Sequence, residues 1–236
     1  MAEKIILGLC TSGARLKISV LAGGRFFQAQ KKVFNQERVL FALVKRELKK
    51  AGADLRGVTA VCAARGPGRF TGIRISLTLA GALKALSGAG VYTATLFEIL
   101  ALQASENPHF KKSGCRRVAA LVHAFKDEYF CQLFVVTGKL PVPDGEPVWL
   151  KAEELRTRLA GEKPPFYAIA DAEEDPGIYG LLPAQAVKAP AAVSKIIPAY
   201  IIKAALAGRN KTLKPLYLKP AKYELENNVR PAPARD

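Results

Sequence analysis

The stretch from Gly57 to Gly81, GVTAVCAARGPGRFTGIRISLTLAG, constrains the fold more than any other part of the chain. Val58 to Ala64 is a short apolar run stopped by breakers, which predicts a buried strand. Gly66, Pro67, Gly68 and Gly72 mark a tightly held connection, and the residues from Thr71 to Leu86 suit a helix. Between Ile73 and Leu86 only Arg74 and Lys84 are charged, so the helix lacks the solvated side that a surface helix carries. Small residues recur at Gly72, Ser76 and Ala80, with Gly81, Ala85 and Gly88 on an adjoining row. A glycine inside a helix costs about 1 kcal/mol against alanine, which is reasonable where another backbone must approach. One side of this helix is therefore expected on its own sheet and the other on a partner. Enclosure of the whole helix within its own domain is the plainer alternative.

The surrounding chain has 236 residues, 50% of them hydrophobic, enough to bury a core in one large or two small domains. The formal net charge of +16 is spread along the sequence and favours acidic partners, RNA among them, although charge alone names none. Cys10, Cys62, Cys115 and Cys131 lie far apart without a CxxC pair, and three sit in apolar strand-like runs. Buried free thiols in a reducing cytoplasm fit that pattern better than disulfides or zinc. The opening apolar run is too short for a signal peptide, and no run reaches the roughly 18 residues of a membrane span. A soluble cytoplasmic protein is expected.

In chain order, Ile5 to Cys10, Leu16 to Leu21 and Arg25 to Val33 read as strands, with Gly23-Gly24 as a hairpin turn. Asn35 is placed to cap a helix whose stripe is Leu40, Leu43, Val44, Leu48 and Ala51, widened by Phe41. After the central unit, Val91 to Thr95 leads into a helix over Leu96 to Ser105, and a polar break follows from Asn107 to Gly114. Strands over Val118 to His123, Glu128 to Val136 and Glu146 to Leu150 come next, then a helix from Ala152 to Leu159 and a strand from Phe166 to Ala170. Asp171 to Pro190 reads as irregular, and Ala191 to Ala207 as a helix kinked or split at Pro198. The order strand, strand, strand, helix, strand, helix thus occurs twice. It predicts an α/β protein of two ribonuclease-H-like lobes in the manner of the actin and sugar-kinase superfamily. Each lobe has a mixed sheet of about five strands flanked by helices. The expected division is 1–106 and 107–220, with the last helix, about 191–208, packing back on the first lobe and 221–236 as a flexible tail.

Gly66-Pro67-Gly68-Arg69-Phe70-Thr71-Gly72-Ile73-Arg74-Ile75 resembles the GPGSFTGLRIG signature of the TsaB family, also called YeaZ. Weaker likenesses run through Ile6 to Ser12, Arg38 to Leu40, Thr95 to Ala101 and Leu216 to Lys219. The resemblance implies a non-catalytic subunit in the synthesis of N6-threonylcarbamoyladenosine at position 37 of tRNA. It implies pairing with the catalytic, ATP-binding TsaD through first-lobe helices, or with a second copy when alone. A TsaE-like ATPase would dock on that pair, TsaC would supply threonylcarbamoyl-adenylate, and tRNA would be met directly or through the complex. The interface residues so implied are Asn35, Leu40, Phe41, Val44, Arg69, Phe70, Thr71, Gly72, Ile73, Arg74, Ser76, Leu77, Ala80 and Lys84. No cofactor or metal is expected.

The chain departs from the family pattern at Cys10, where an aspartate is usual, and at Asn35, where histidine is usual. His123-Ala124-Phe125 replaces a DAR-like strand end, and only Glu128 of the following motif matches. Phosphoryl transfer in an actin-like fold needs carboxylates at the strand ends that Cys10 and His123 occupy. A glycine loop before a helix can cradle phosphate, with Arg65, Arg69 and Arg74 adding charge, but Pro67 removes one donor and the Lys-Ser or Lys-Thr ending is missing. A nucleotide-binding enzyme of the same fold and a basic RNA-binding protein remain as alternatives.

Overall fold

The computed structural model describes residues 4–219. Gly23 and Gly24, with φ of 55° and 73°, turn strand β2 (Arg15–Ala22) directly into β3 (Arg25–Lys32). With β1 (Ile5–Cys10), β4 (Val58–Ala64) and β5 (Gly90–Ala94) they form one sheet in the order β3-β2-β1-β4-β5. β1, β2 and β3 pair antiparallel, and β1, β4 and β5 parallel. Parallel pairing requires crossovers, which are helices α1 (Gln36–Lys50) and α2 (Phe70–Ser87).

The chain then passes through α3 (Leu96–Glu106) and the short α4 (Pro108–Lys112). The second sheet comprises β6 (Arg117–Phe125), β7 (Glu128–Val135), β8 (Val142–Pro143), β9 (Val148–Lys151), β10 (Phe166–Ala170) and β11 (Ala186–Lys188). Its order is β11-β10-β6-β7-β8, with β9 pairing the other end of β7. Helix α5 (Ala152–Ala160) and a 3-10 turn (Ile178–Leu181) cover its outer face, and α6 (Pro198–Gly208) ends the chain's helices.

Strand alternation sorts the apolar residues into layers. Leu7 and Leu9 join Leu40, Val44, Ile73 and Leu77 beneath α1 and α2. Ile6 and Cys10 face inward, into a core shared by α3, α6 and the inner face of the second sheet. The two inner helices cross over: α3, which follows the first sheet, packs on β6, β7 and β10, whereas α6, which follows the second, packs on the first sheet.

Several local expectations need correction. Asn35 stands at the N-cap of α1 without a side-chain bond to the helix, and Arg38 N–H closes instead on its carbonyl. The polar break contains α4, where Asn107 accepts from His109 N–H and Pro108 occupies the first turn. The turn-rich stretch before β9 holds β8, and the segment after β10 holds the 3-10 turn and β11. The last helix begins at Pro198 and is not kinked there. Ala191 to Ile197 stays outside it because buried Gln103 takes its main-chain groups. Its Nε2 donates to the Val193 and Lys195 carbonyls (3.2 and 2.8 Å), and its Oε1 accepts from Ile197 N–H (2.9 Å). Lys214 to Leu218 has no regular secondary structure and the chain bends at Lys219, whereas Pro220 and the expected tail at 221–236 lie outside the described residues.

Candidate partner-binding face

The Arg65–Arg69 loop after β4 is tied down on several sides. Arg65 N–H donates to the Ala94 carbonyl (2.9 Å), and the Arg65 carbonyl accepts from Leu216 N–H (2.7 Å). The Gly66 carbonyl accepts from Leu96 N–H (2.8 Å), and Arg69 N–H donates to the Ser12 carbonyl (2.8 Å). At Gly68, φ is 151° and an added Cβ would come 2.5 Å from the Ser12 carbonyl oxygen. At Gly72 it would overlap the Thr11 carbonyl oxygen. The glycine spacing therefore serves close packing of α2 on the β1–β2 connection, and the Arg65 and Arg69 N–H groups are already engaged.

This anchoring turns α2 so that the small row faces its own sheet. Gly72, Ile73, Ser76, Leu77 and Ala80 are buried there, as are Leu40 and Val44 on α1. Gly81 meets a side chain, Leu213 at 3.5 Å, not a second backbone. Of the residues implied for an interface, Phe41, Arg69, Phe70, Thr71, Arg74 and Lys84 are exposed and Asn35 is half-buried. The outer row of α2 is Thr71, Arg74, Ile75, Thr78, Ala82 and Ala85, and Thr78 and Ala82 carry no sequence signal that separates them from the buried row.

Between the N-terminal ends of α1 and α2 lies a groove of about 440 Å³, lined by Phe34, Gln36, Arg69, Phe70 and Ile75 among others. Phe34 is 91% exposed, and Phe41 and Phe70 about half exposed. Gln36 is buried and donates through Nε2 to the Gly13 carbonyl (2.7 Å), while its Oε1 has no partner among the described residues. Phe70 stacks on Tyr217 at 4.8 Å between ring centroids. The Arg74 guanidinium lies 3.8 Å over Phe70, and its Nε donates to the Tyr217 hydroxyl (3.0 Å). The C-terminal Leu216-Tyr217 segment thus straps the loop and fixes one wall of the groove.

The cleft side of the first sheet is filled by the chain's own charges. The Glu174 carboxylate accepts from Ala14 N–H (2.9 Å) in the β1–β2 connection. Buried Lys17 reaches Glu173 (3.1 Å) and Asp171 (3.6 Å), and Arg15 reaches Glu173 (3.4 Å). Burial pushes the Asp171 carboxyl up, opposed by Lys17. Burial also raises Glu173, but Lys17 and Arg15 outweigh it and hold the carboxyl below its ordinary range. Burial raises the Cys10 thiol, with Lys17 opposing it, which keeps the group neutral instead of nucleophilic. All four cysteines are buried and free. His123, at the end of β6, bonds the Lys126 carbonyl through Nε2 (2.9 Å).

Two mixed sheets, each built on an antiparallel three-strand start or its equivalent and enclosing two crossed helices, define a protein of the actin and sugar-kinase fold class. Within that class its fold is that of YeaZ: over 91% of this chain and 100% of the other it superposes on YeaZ from Pseudomonas aeruginosa, with a TM-score of 0.69 and 23% identity. A second P. aeruginosa structure, described as an uncharacterized protein with similarity to peptidase YEAZ, gives a TM-score of 0.69 at 22% identity over 92% of this chain and 100% of that one. A family model described as TsaD, tRNA N6-adenosine threonylcarbamoyltransferase, matches residues 35–132, from the start of α1 into β7. No curated protein matches the sequence. These likenesses agree with the resemblance read from the GPGRFTGIR motif. No helix among the described residues is long and apolar enough to cross a membrane.

Proposed function

We propose that this chain is a non-catalytic subunit that pairs with a TsaD-like protein for threonylcarbamoyl transfer to adenosine 37 of tRNA in the cytoplasm. A TsaE-like ATPase docks on the pair, and a TsaC-like enzyme supplies the activated threonylcarbamoyl group. The observation that carries the reading is the outer face of α1 and α2. Phe34 and Phe70 stand exposed on the walls of a groove, Phe41 is half exposed on α1, and α2 carries an outer row of small residues, Thr78, Ala82 and Ala85. Apolar side chains clustered in this way mark a contact surface, and small residues let a partner helix come close. The non-catalytic part rests on the cleft, where Glu174 takes the β1–β2 N–H that a phosphate would need, and Lys17 is committed to Asp171 and Glu173.

Co-purification with the TsaD homologue of the same organism tests the reading. Thr78→Arg places a long charged side chain on the exposed row without entering the core. Loss of the complex with a folded variant is expected, whereas undiminished co-purification would place the contact elsewhere.

A further inference from the structure

Glu174 sits on the β1–β2 connection as a bound anion would. Both carboxylate oxygens lie 2.9 Å from Ala14 N–H. The carboxyl group rests so closely on Gly13 that a Cβ there would come 2.7 Å from Oε1 and 2.8 Å from Cδ. Glycine is what leaves room for that approach. The two partners belong to different sheets, since the connection follows β1 and Glu174 follows β10. Three further bridges run beside it. Lys17 on β2 reaches both Asp171 and Glu173. Glu173 is also met by Arg15 and, from β3, by Gln30 Nε2, each at 3.4 Å.

Each side of this contact is fixed by its own half of the molecule. The Thr11 hydroxyl, the Ser12 carbonyl and the Gly13 carbonyl are bonded to Gly72, Arg69 and Gln36. Across the cleft, Asp171 N–H donates to the Leu121 carbonyl (3.3 Å) and Ala172 N–H to the Ser194 carbonyl (3.0 Å), while Asp175 accepts from the Tyr129 hydroxyl (2.9 Å). Surfaces held in their bound shape lose little freedom on meeting. A carboxylate tethered this way also outcompetes dissolved anions, because its effective concentration is on the order of mM. The side chains of Lys17 and Asp171 are 3% and 5% exposed, so salt screens their attraction little. The shared apolar core does not account for these contacts. Its last members on β1 and β10 are Cys10 and Ile169, and the charged bridges begin beyond them.

We infer that the Asp171–Glu174 segment is a clasp that holds the two lobes shut over the cleft, with the Glu174 carboxylate as a tethered anion in the seat made by Gly13 and Ala14. Closed is the resting state of the free chain, and the cleft opens when the clasp is broken. The clasp needs no partner protein, so it stands or falls apart from the pairing proposed above.

The test uses the full chain with spin labels on two introduced cysteines, K32C and Q185C, exposed positions on either side of the cleft; the native cysteines are buried. Pulsed dipolar spectroscopy should give one narrow distance, unchanged by ATP with Mg²⁺. In E174A the distribution should broaden toward longer distances, and amide exchange at Thr11 to Arg15 should quicken at least about tenfold, as loss of a hydrogen bond to a charged group requires. E174Q keeps an acceptor oxygen for Ala14 N–H and should shift less. E173Q, which removes the ion pairs to Lys17 and Arg15 at constant volume, should broaden the distances too and serves if circular dichroism shows E174A unfolded. Unchanged distances and exchange in the folded variants would assign closure to the apolar core and overturn the clasp. A parent that is broadly distributed at rest, or that narrows only on adding ATP, would overturn it as well.

Discussion

The Thr11 hydroxyl donates to the Gly72 carbonyl at 2.5 Å and accepts from Ser76 N–H at 3.2 Å, so one buried side chain joins the end of β1 to the first turns of α2. A buried donor left without a partner costs about 1–3 kcal/mol, and Thr11→Val should lose an amount in that range. Gly72→Ala sets a methyl group against the Thr11 carbonyl oxygen and should cost about 1–3 kcal/mol through overpacking. Urea unfolding followed by circular dichroism measures both.

Ser76 and Thr78 lie two positions apart on α2 and should respond in opposite ways. Ser76 is fully buried, with its hydroxyl on the Ala64 and Ile73 carbonyls (3.3 and 3.2 Å), so Ser76→Arg drives a charge into the core and should abolish soluble expression. Thr78 is exposed, and T78R should unfold within about 0.5 kcal/mol of the parent. Thermal melts of the two variants separate a helix face that stabilises the fold from one that is free for contact.

Lys17 is the cation on which two carboxylates of the second lobe converge. Removing one member of a buried charged set leaves the others uncompensated, and Lys17→Met should cost about 3–5 kcal/mol. Neutralising the partners as well, in K17M/D171N/E173Q, should recover much of that loss.

The acid limb of stability carries the same signature. The Glu173 carboxyl is held below its ordinary value of 4.5, so its contribution is complete above that pH and is lost as pH falls through the lowered value. Glu173→Gln should therefore flatten the loss of stability below about pH 4.5. Asp171, raised by burial, has the opposite sign: it binds its proton more tightly when folded, and ionisation as pH rises works against the native state. Urea midpoints across acidic pH check the sign.

Four buried thiols with no disulfide make a simple chemical prediction. Burial pushes Cys62 and Cys131 up to about 12, so neither is a thiolate at neutral pH. An aromatic disulfide reagent should react slowly with the native protein and fully after unfolding in urea. Rapid reaction in the native state would contradict the packing of Cys10 and its neighbours.

Much of this architecture was legible because period and punctuation were clean. Strand β4, its glycine loop and α2 follow from the apolar run Val58 to Ala64 and the breakers after it, and Gly23-Gly24 marked the hairpin. The direction of α2 was not legible, because a helix with two charges offers small residues on every side. Only the Thr11 hydroxyl and the contact at Gly72 decide that Ser76 and Ala80 face inward while Thr78 and Ala82 face out. The start of α6 was hidden for a similar reason, since Gln103, far away in sequence, binds the main chain of the turns before Pro198 and keeps them out of the helix. The capping box of Thr95 and Glu98 was a local signal that was open to reading: Thr95 Oγ1 accepts from Glu98 N–H at 3.1 Å, and Glu98 returns the bond at 2.6 Å. Phe34 escaped attention because a lone exposed aromatic ahead of a helix gains meaning only once α2 brings Phe70 across the groove from it.

Amide hydrogen exchange of the chain with and without the TsaD homologue tests the pairing face most directly. Slowed exchange on binding should concentrate in α1, Gln36–Lys50, in α2, Phe70–Ser87, and in the loop at Phe34, with the second sheet unchanged. Protection confined to the second lobe, with α1 and α2 exchanging as in the free chain, would contradict it.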